Sequence, residues 1–244
     1  MKMNIRIFEN EEDLNATGAG LIASLLQTKP RAVLGLATGS SPVGIYKQLI
    51  TLYQKGLVSF SQASSFNLDE YVGLPTEHRE SYRSFMNEQL FNHIDVDIAR
   101  TQVPDGQAAD LEQECNSYEQ RLDDRGPVDL QLLGIGHNGH IGFNEPGTEL
   151  TGRTHVVDLK EETRKANARF FDSIDEVPAQ AITMGVGTIL KAKQILLIAR
   201  GEEKAEIIRE AFMGPITTAC PASLLQCHPN VVVLLDRAAG RLVR

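Results

Sequence analysis

Four short runs of the chain are apolar at most positions, AVLGLA (32–37), VDLQLLGIG (128–136), QILLIA (194–199) and NVVVLLD (230–236), and the more mixed SSFNL (64–68) reads as a fifth. A half-exposed strand alternates apolar and polar residues, whereas a strand covered on both faces has no polar side to keep. These runs therefore predict central strands of a parallel sheet, with amphipathic stretches between them. Asn10 stands before Glu11, Glu12 and Asp13, which is the make-up of a capped, acidic first helical turn. Leu14, Gly18, Leu21, Ile22 and Leu25 then recur on one face. Pro42 suits the first position of a second helix, with Ile45, Leu49, Leu52 and Tyr53 on one side and Gly56 as its stop. Asp110 to Leu122 and Glu202 to Met213 predict two more helices.

Strands alternating with helices imply an α/β fold: an open, doubly wound, mostly parallel sheet with helices on both faces, Rossmann-like. No repeat, low-complexity tract or Pro/Gly/Ser linker divides the chain, so one domain over 1–244 is expected. Ligands of such sheets sit beyond the carboxyl ends of the strands, which directs attention to three loops.

The first loop is Thr38-Gly39-Ser40-Ser41-Pro42. Hydroxyls, a glycine and a helix start offer free N–H groups and the positive end of a helix dipole, which suits a phosphate. It lacks the Walker pattern, and a plain turn with Ser41 as helix cap reads equally from these residues. The second is Asn67-Leu68-Asp69-Glu70-Tyr71. A carboxylate drawn out of water at a strand end can serve as a general base, although Asp and Glu more often make solvated turns or helix caps.

The third loop runs from Gly134 to Gly147 as GIGHNGHIGFNEPG. It matches G-x-G-x-x-G, with Asp158 about twenty residues on, but Gly142, Pro146 and Gly147 forbid the helix that a dinucleotide site needs. The glycines are expected to let the backbone approach a ligand. His137 and His140, with Glu145, suggest either a metal site or, better, a proton-transfer pair of His140 and Glu145; two histidines in a satisfied surface loop are the plain alternative.

Composition narrows the function. The 244 residues carry 24 Lys and Arg against 32 Asp and Glu, a net charge of −8, which disfavours binding a nucleic-acid backbone by bulk charge. An anionic ligand would need a local pocket. Three cysteines without C-x-x-C spacing argue against a disulfide framework and for a reducing cytoplasm. The first residues carry acids from Glu9 and no apolar run, so neither a signal peptide nor a membrane span is expected.

Taken together, LGLATGSSP (34–42), FNLDEYVGLP (66–75), SYRSFM (81–86), LGIGHNGHIGFNEPG (133–147), ANARFF (166–171), TMGVGTIL (183–190) and GEEKA (201–205) resemble the glucosamine-6-phosphate deaminase family over nearly the whole chain. The resemblance implies conversion of glucosamine 6-phosphate and water into fructose 6-phosphate and ammonia, without cofactor or metal. It assigns the base that moves a proton from C2 to C1 to Asp69, the ring-opening imidazole to His140 and its carboxylate partner to Glu145. Asn138 stands where many members have Asp. The substrate phosphate falls to Gly39, Ser40, Ser41, Arg169 and Lys204, which would let an acidic protein hold an anion locally. The implied partner is a small sugar phosphate, with no nucleic acid or membrane; a homo-oligomer is compatible with the resemblance. Positions that carry Arg and Lys at a regulatory site in some members are His155 and Val157 here, and the chain stops at Arg244, so unregulated kinetics are expected.

Two other functions compete with this one. A 6-phosphogluconolactonase has a similar fold and a G-x-G-x-x-G-H loop but needs no C2 base, and a sugar-phosphate-sensing regulator domain would have no reason to keep Asp69, His140 and Glu145 together.

Overall fold

The computed structural model of the chain describes residues 4–171 and 173–243, and Arg244 lies outside them. In chain order the strands are β1 (Asn4–Phe8), β2 (Val33–Leu36), β3 (Ser64–Asn67), β4 (Asp69–Tyr71), β5 (Thr101–Gln102), β6 (Leu130–Leu133), β7 (His155–Asp158), β8 (Gln180–Thr183), β9 (Ile195–Ala199) and β10 (Val231–Asp236). The helices are α1 (Glu11–Thr28), α2 (Val43–Gln54), α3 (Tyr82–Gln89), α4 (Leu111–Arg125), α5 (Glu161–Asn167), α6 (Val186–Leu190) and α7 (Ala205–Met213).

Seven strands form one sheet in the order β1-β10-β9-β6-β2-β3-β5, with every pairing parallel. Its two faces split each apolar run by alternation. Val232 and Leu234 of β10 join Leu34, Leu36, Leu130 and Leu132 in a core covered by α1, α2 and α3. Val231, Val233 and Leu235 join Leu133, Ile195 and Leu197 in a second core under α4, α6 and α7. The doubly wound α/β arrangement expected from the apolar runs is the one observed. Outside it lies a three-stranded antiparallel sheet, β4-β8-β7, which the periodicity does not announce because its strands are short and mixed in character. A small aromatic core of Tyr71, Phe143 and Phe171 packs with Ala181 beneath it.

Local signals place the helix ends closely. Asn10 caps α1 by accepting the Asp13 N–H at 2.8 Å, and Asp110 caps α4 through Gln113 N at 2.9 Å. The buried face of α1 is Leu14, Asn15, Gly18, Ala19, Ile22, Ala23 and Leu26, so Leu21 and Leu25 lie only partly buried at its flank. Pro42 sits at the cap of α2, one residue before the expected first position, and no side chain caps that end. Ser41 is therefore not the helix cap. Glu202–Lys204 forms a separate 3-10 turn ahead of α7 rather than its first turn. Among the described residues no helix is long and apolar enough to cross a membrane, and Cys115, Cys220 and Cys227 are unpaired.

The order of strands fixes where a ligand fits. From β2 the chain moves outward through β3 to β5, then returns to the other side of β2 with β6 and continues to β9 and β10. The loops after β2 and β6 thus diverge at the reversal, where the carboxyl ends of adjacent strands leave a crevice. A Cβ on Gly134 would meet Ser41 Oγ at 3.6 Å, so the two loops touch there.

Candidate active site

A cleft of about 810 Å³ opens at that reversal. Its walls bring together Gly39, Ser40 and Ser41 after β2, Asp69 after β3, Asn138 and His140 after β6, and Arg169 and Lys204. Of the catalytic and phosphate-binding residues assigned from the resemblance, Glu145 is the one that does not line the cleft; it sits behind Asn138 and His140.

Asp69 owes its position to a change of sheet. Leu68 N donates to Leu36 O at 3.1 Å within the parallel sheet, and Leu68 O accepts from Met184 N at 2.7 Å in the antiparallel one. The next residue, Asp69, begins β4 opposite Thr183. Its carboxyl is buried yet reaches the cleft, and no hydrogen bond from a described residue is recorded to it. Burial, and secondarily the charge of Glu70, push its pKa up to about 8. A carboxylate without donors in a dry wall is a strong base for its type.

Glu70 is buried beside it with a different task. Oε1 accepts the N–H groups of Tyr71 and Tyr82, both at 2.9 Å, and Oε2 that of Arg83 at 3.0 Å. Burial raises its pKa while these three donors oppose the rise. Asp69 is no solvated turn residue and stays open to the cleft, while Glu70 takes the helix-cap role at a distance, satisfying orphan amides of α3.

The glycine loop after β6 makes a tight turn, Gly139 N to Gly136 O at 3.1 Å and Gly136 N to His140 O at 2.9 Å, and no helix follows. Gly134, Gly136 and Gly142 line the cleft, where a backbone without side chains lets a ligand approach, and two of them have a second task. A Cβ on Gly136 would lie 2.3 Å from His140 Cε1, and one on Gly142 would lie 2.9 Å from Thr183 Oγ1 and 3.5 Å from Asp69 Oδ2. These glycines make room for the protein's own imidazole and for the Asp69–Thr183 corner. Gly142 also has φ of 57°, which only glycine adopts readily.

His140 Nδ1 lies 3.7 Å from Glu145 Oε2. That is close enough for charge attraction but longer than a hydrogen bond. Glu145 Oε2 accepts from Asn138 Nδ2 at 2.6 Å, and Oε1 accepts from the hydroxyl of Thr163. Burial alone would raise the Glu145 pKa, but His140, Thr163 and Asn138 together outweigh it and hold the carboxyl at about 2. Glu145 is thus a permanent anion behind the imidazole. Asn138 serves this carboxylate and, through Oδ1, the backbone N–H of His140 at 3.2 Å, not the His140 ring.

The cleft wall also carries cations. Lys204 donates Nζ to Ile135 O at 2.8 Å. Burial first, then the neighbouring Arg169 charge, lowers its pKa to about 8 in spite of Glu203. His137 is depressed by burial and by Lys204. Residues that the sequence reading missed also line the cleft, among them Arg200, Thr163 and Asn167. Arg200 follows β9 directly, pairs with Glu11 and donates to Ser40 O at 2.9 Å. A cation just past a strand end was a legible signal, of the same kind as Asp69 after β3. Thr163 and Asn167 had none, because their partners lie 18 and 96 residues away.

Comparison with known proteins gives one consistent direction. Residues 10–234 match the family model described as glucosamine-6-phosphate isomerases/6-phosphogluconolactonase. A glucosamine-6-phosphate deaminase of Clostridium perfringens is 52% identical over 242 residues, covering 99% of this chain and 100% of that protein. One from Halothermothrix orenii is 50% identical over 241 residues, covering 99% and 100%. The solved structure of a monomeric glucosamine-6-phosphate deaminase superposes with a TM-score of 0.96 at 50% identity, covering 98% of this chain and 100% of that one. A 6-phosphogluconolactonase of Thermotoga maritima is similar in fold alone, with a TM-score of 0.78 at 19% identity over 96% of this chain and 100% of that one.

Proposed function

The chain belongs to the family of glucosamine-6-phosphate isomerases and 6-phosphogluconolactonases, and within it we propose that the chain converts glucosamine 6-phosphate and water into fructose 6-phosphate and ammonia. The observation that carries this reading is the Asp69 carboxyl, raised to about 8 and without a donor among the described residues, in one cleft with His140, behind which the Glu145 anion sits.

The substrate phosphate rests between the Gly39–Ser41 loop, Arg169 and Lys204. Charge-assisted bonds from two cations suffice to hold it on a chain of net charge −8. His140 gives a proton to the ring oxygen as the sugar opens, with the Glu145 anion 3.7 Å from its Nδ1. Asp69 then takes the proton from C2 and returns it to C1. The C2–H electrons form a C1–C2 double bond while the carbonyl pair moves onto O1, which takes a proton from water. As Asp69 protonates C1, the lone pair of the C2 nitrogen closes to an imine at C2. Water adds to C2, and the nitrogen leaves as ammonia. Every step is a proton transfer or an addition of water, so the scheme calls on no cofactor or metal.

Opening a lactone would use a hydrolytic water but has no proton to move between two carbons, and so gives Asp69 no task. All of the groups in the scheme come from one chain, which agrees with a relative described as monomeric. With three free cysteines the enzyme is proposed to act in the reducing cytoplasm on a small molecule. Incubating the purified chain with glucosamine 6-phosphate and measuring ammonia and fructose 6-phosphate tests the reading. Turnover of 6-phosphogluconolactone with none of the amino sugar would overturn it.

A further inference from the structure

We propose that the Thr163 hydroxyl is a positioning residue of the proton relay, fixing the plane of the Glu145 carboxylate against His140. The inference rests on the deaminase reading above. The Glu145 side chain is only 6% exposed, and its oxygens have separate donors: Asn138 Nδ2 on Oε2 and Thr163 Oγ1 on Oε1. Asn138 belongs to the same glycine loop as His140, so its hold moves with that loop. Thr163 belongs to α5, which reaches the loop from outside, and Lys160 just ahead of α5 donates Nζ to Pro146 O at 2.7 Å.

One donor leaves a carboxylate free to turn about its Cγ–Cδ bond, whereas donors on both oxygens fix the plane. The plane matters because Oε2 stops 3.7 Å from His140 Nδ1, and that buried nitrogen has no hydrogen-bond partner among the described residues. A small rotation decides whether the anion faces the ring nitrogen or turns away from it. The same segment carries Asn167, which donates to Tyr71 Oη at 2.9 Å, and Arg169 of the cleft wall. The hydroxyl that sets the relay thus lies six residues from a group proposed to meet the phosphate. Thr163 touches no reacting atom in this arrangement and acts through Glu145.

The test begins with the wild-type chain and glucosamine 6-phosphate. If it releases no ammonia, the deaminase reading itself fails. Given an active wild type, Thr163→Val keeps the shape and removes the hydroxyl. Its kcat is expected to fall about 10-fold, within the loss of about 10²-fold that a misplaced group can cause, with KM changed less than about twofold. Thr163→Ser is expected to recover most of the rate. In a Glu145→Gln background, Thr163→Val is expected to cost nothing further, because the carboxylate it positions is gone. Should the Val variant fail to fold, Thr163→Ala takes its place in the same series. A hydroxyl-free variant with wild-type kcat, a Ser variant as slow as it, or a loss that multiplies undiminished onto Glu145→Gln would each overturn the proposal.

Discussion

Asn138 donates its side-chain amide to Glu145 Oε2 at 2.6 Å, and so a neutral group stabilises the buried anion where an acidic one would oppose it. Replacing Asn138 by Asp sets two carboxyls at hydrogen-bond distance, and they must share a proton. The pKa of the pair in the folded chain then lies above the value of about 4 that Asp and Glu have when unfolded. Stability is fully present below the unfolded value and is lost as pH rises through the raised one. The melting temperature of Asn138→Asp is expected to fall more steeply than that of the wild type between pH 5 and 8. Parallel curves would reject the close contact.

Asp69→Asn keeps the size of the side chain and removes the base. Its neighbours are held by other bonds, since Glu70 and not Asp69 secures α3. The variant is expected to melt at or above the wild-type temperature, because a buried acid has been replaced by a neutral amide. Its kcat should drop about 10²-fold or more, the usual size of a general-base contribution. Near-normal turnover would remove Asp69 from the mechanism.

The pH profile of kcat/KM follows from two free-enzyme groups. Asp69 must be ionised, and its raised pKa of about 8 makes activity climb as pH rises toward that value. Lys204 must be protonated, and its lowered pKa of about 8 weakens phosphate binding above it. A narrow bell near pH 8 is expected, with KM rising on the alkaline side. Lys204→Arg stays charged and should flatten the alkaline rise in KM. An unaltered alkaline limb in that variant assigns the titration elsewhere.

Gly136→Ala tests whether the glycine serves the imidazole. The added Cβ would fall 2.3 Å from the His140 ring, which must turn out of its place. Loss of kcat exceeding any change in KM is expected, since the displaced imidazole serves ring opening rather than phosphate binding. A variant as fast as wild type would return the glycine to a purely backbone role.

Regulation offers a last test. At the two positions that are cationic in regulated members, His155 turns Nδ1 to the Arg153 carbonyl at 2.9 Å and Val157 carries no charge. An effector that binds no state preferentially shifts no equilibrium. Saturation with glucosamine 6-phosphate is expected to be hyperbolic and unchanged by N-acetylglucosamine 6-phosphate, and a sigmoidal curve that straightens on its addition would refute this.

The sequence alone determined most of the core of the parallel sheet, because full burial of β2, β6, β9 and β10 favours apolar residues at consecutive positions and writes itself locally, whereas β3 is as buried but mostly polar. It also marked the caps at Asn10 and Asp110, whose partners are three residues away, and the loops that carry Gly39, Asp69, His140 and Lys204. Only the tertiary structure decided what each neighbour does. Asp69 and Glu70 are adjacent and chemically alike, yet one faces the cleft bare while the other is taken by the amides of Tyr82 and Arg83, twelve and thirteen residues on. The three strands of the antiparallel sheet, the role of Gly136 under the His140 ring, and the bond from Thr163 to Glu145 likewise depend on partners that meet only after the chain has reversed across β2. Periodicity records which side of an element is buried; it holds no record of which distant hydrogen-bond donor waits there.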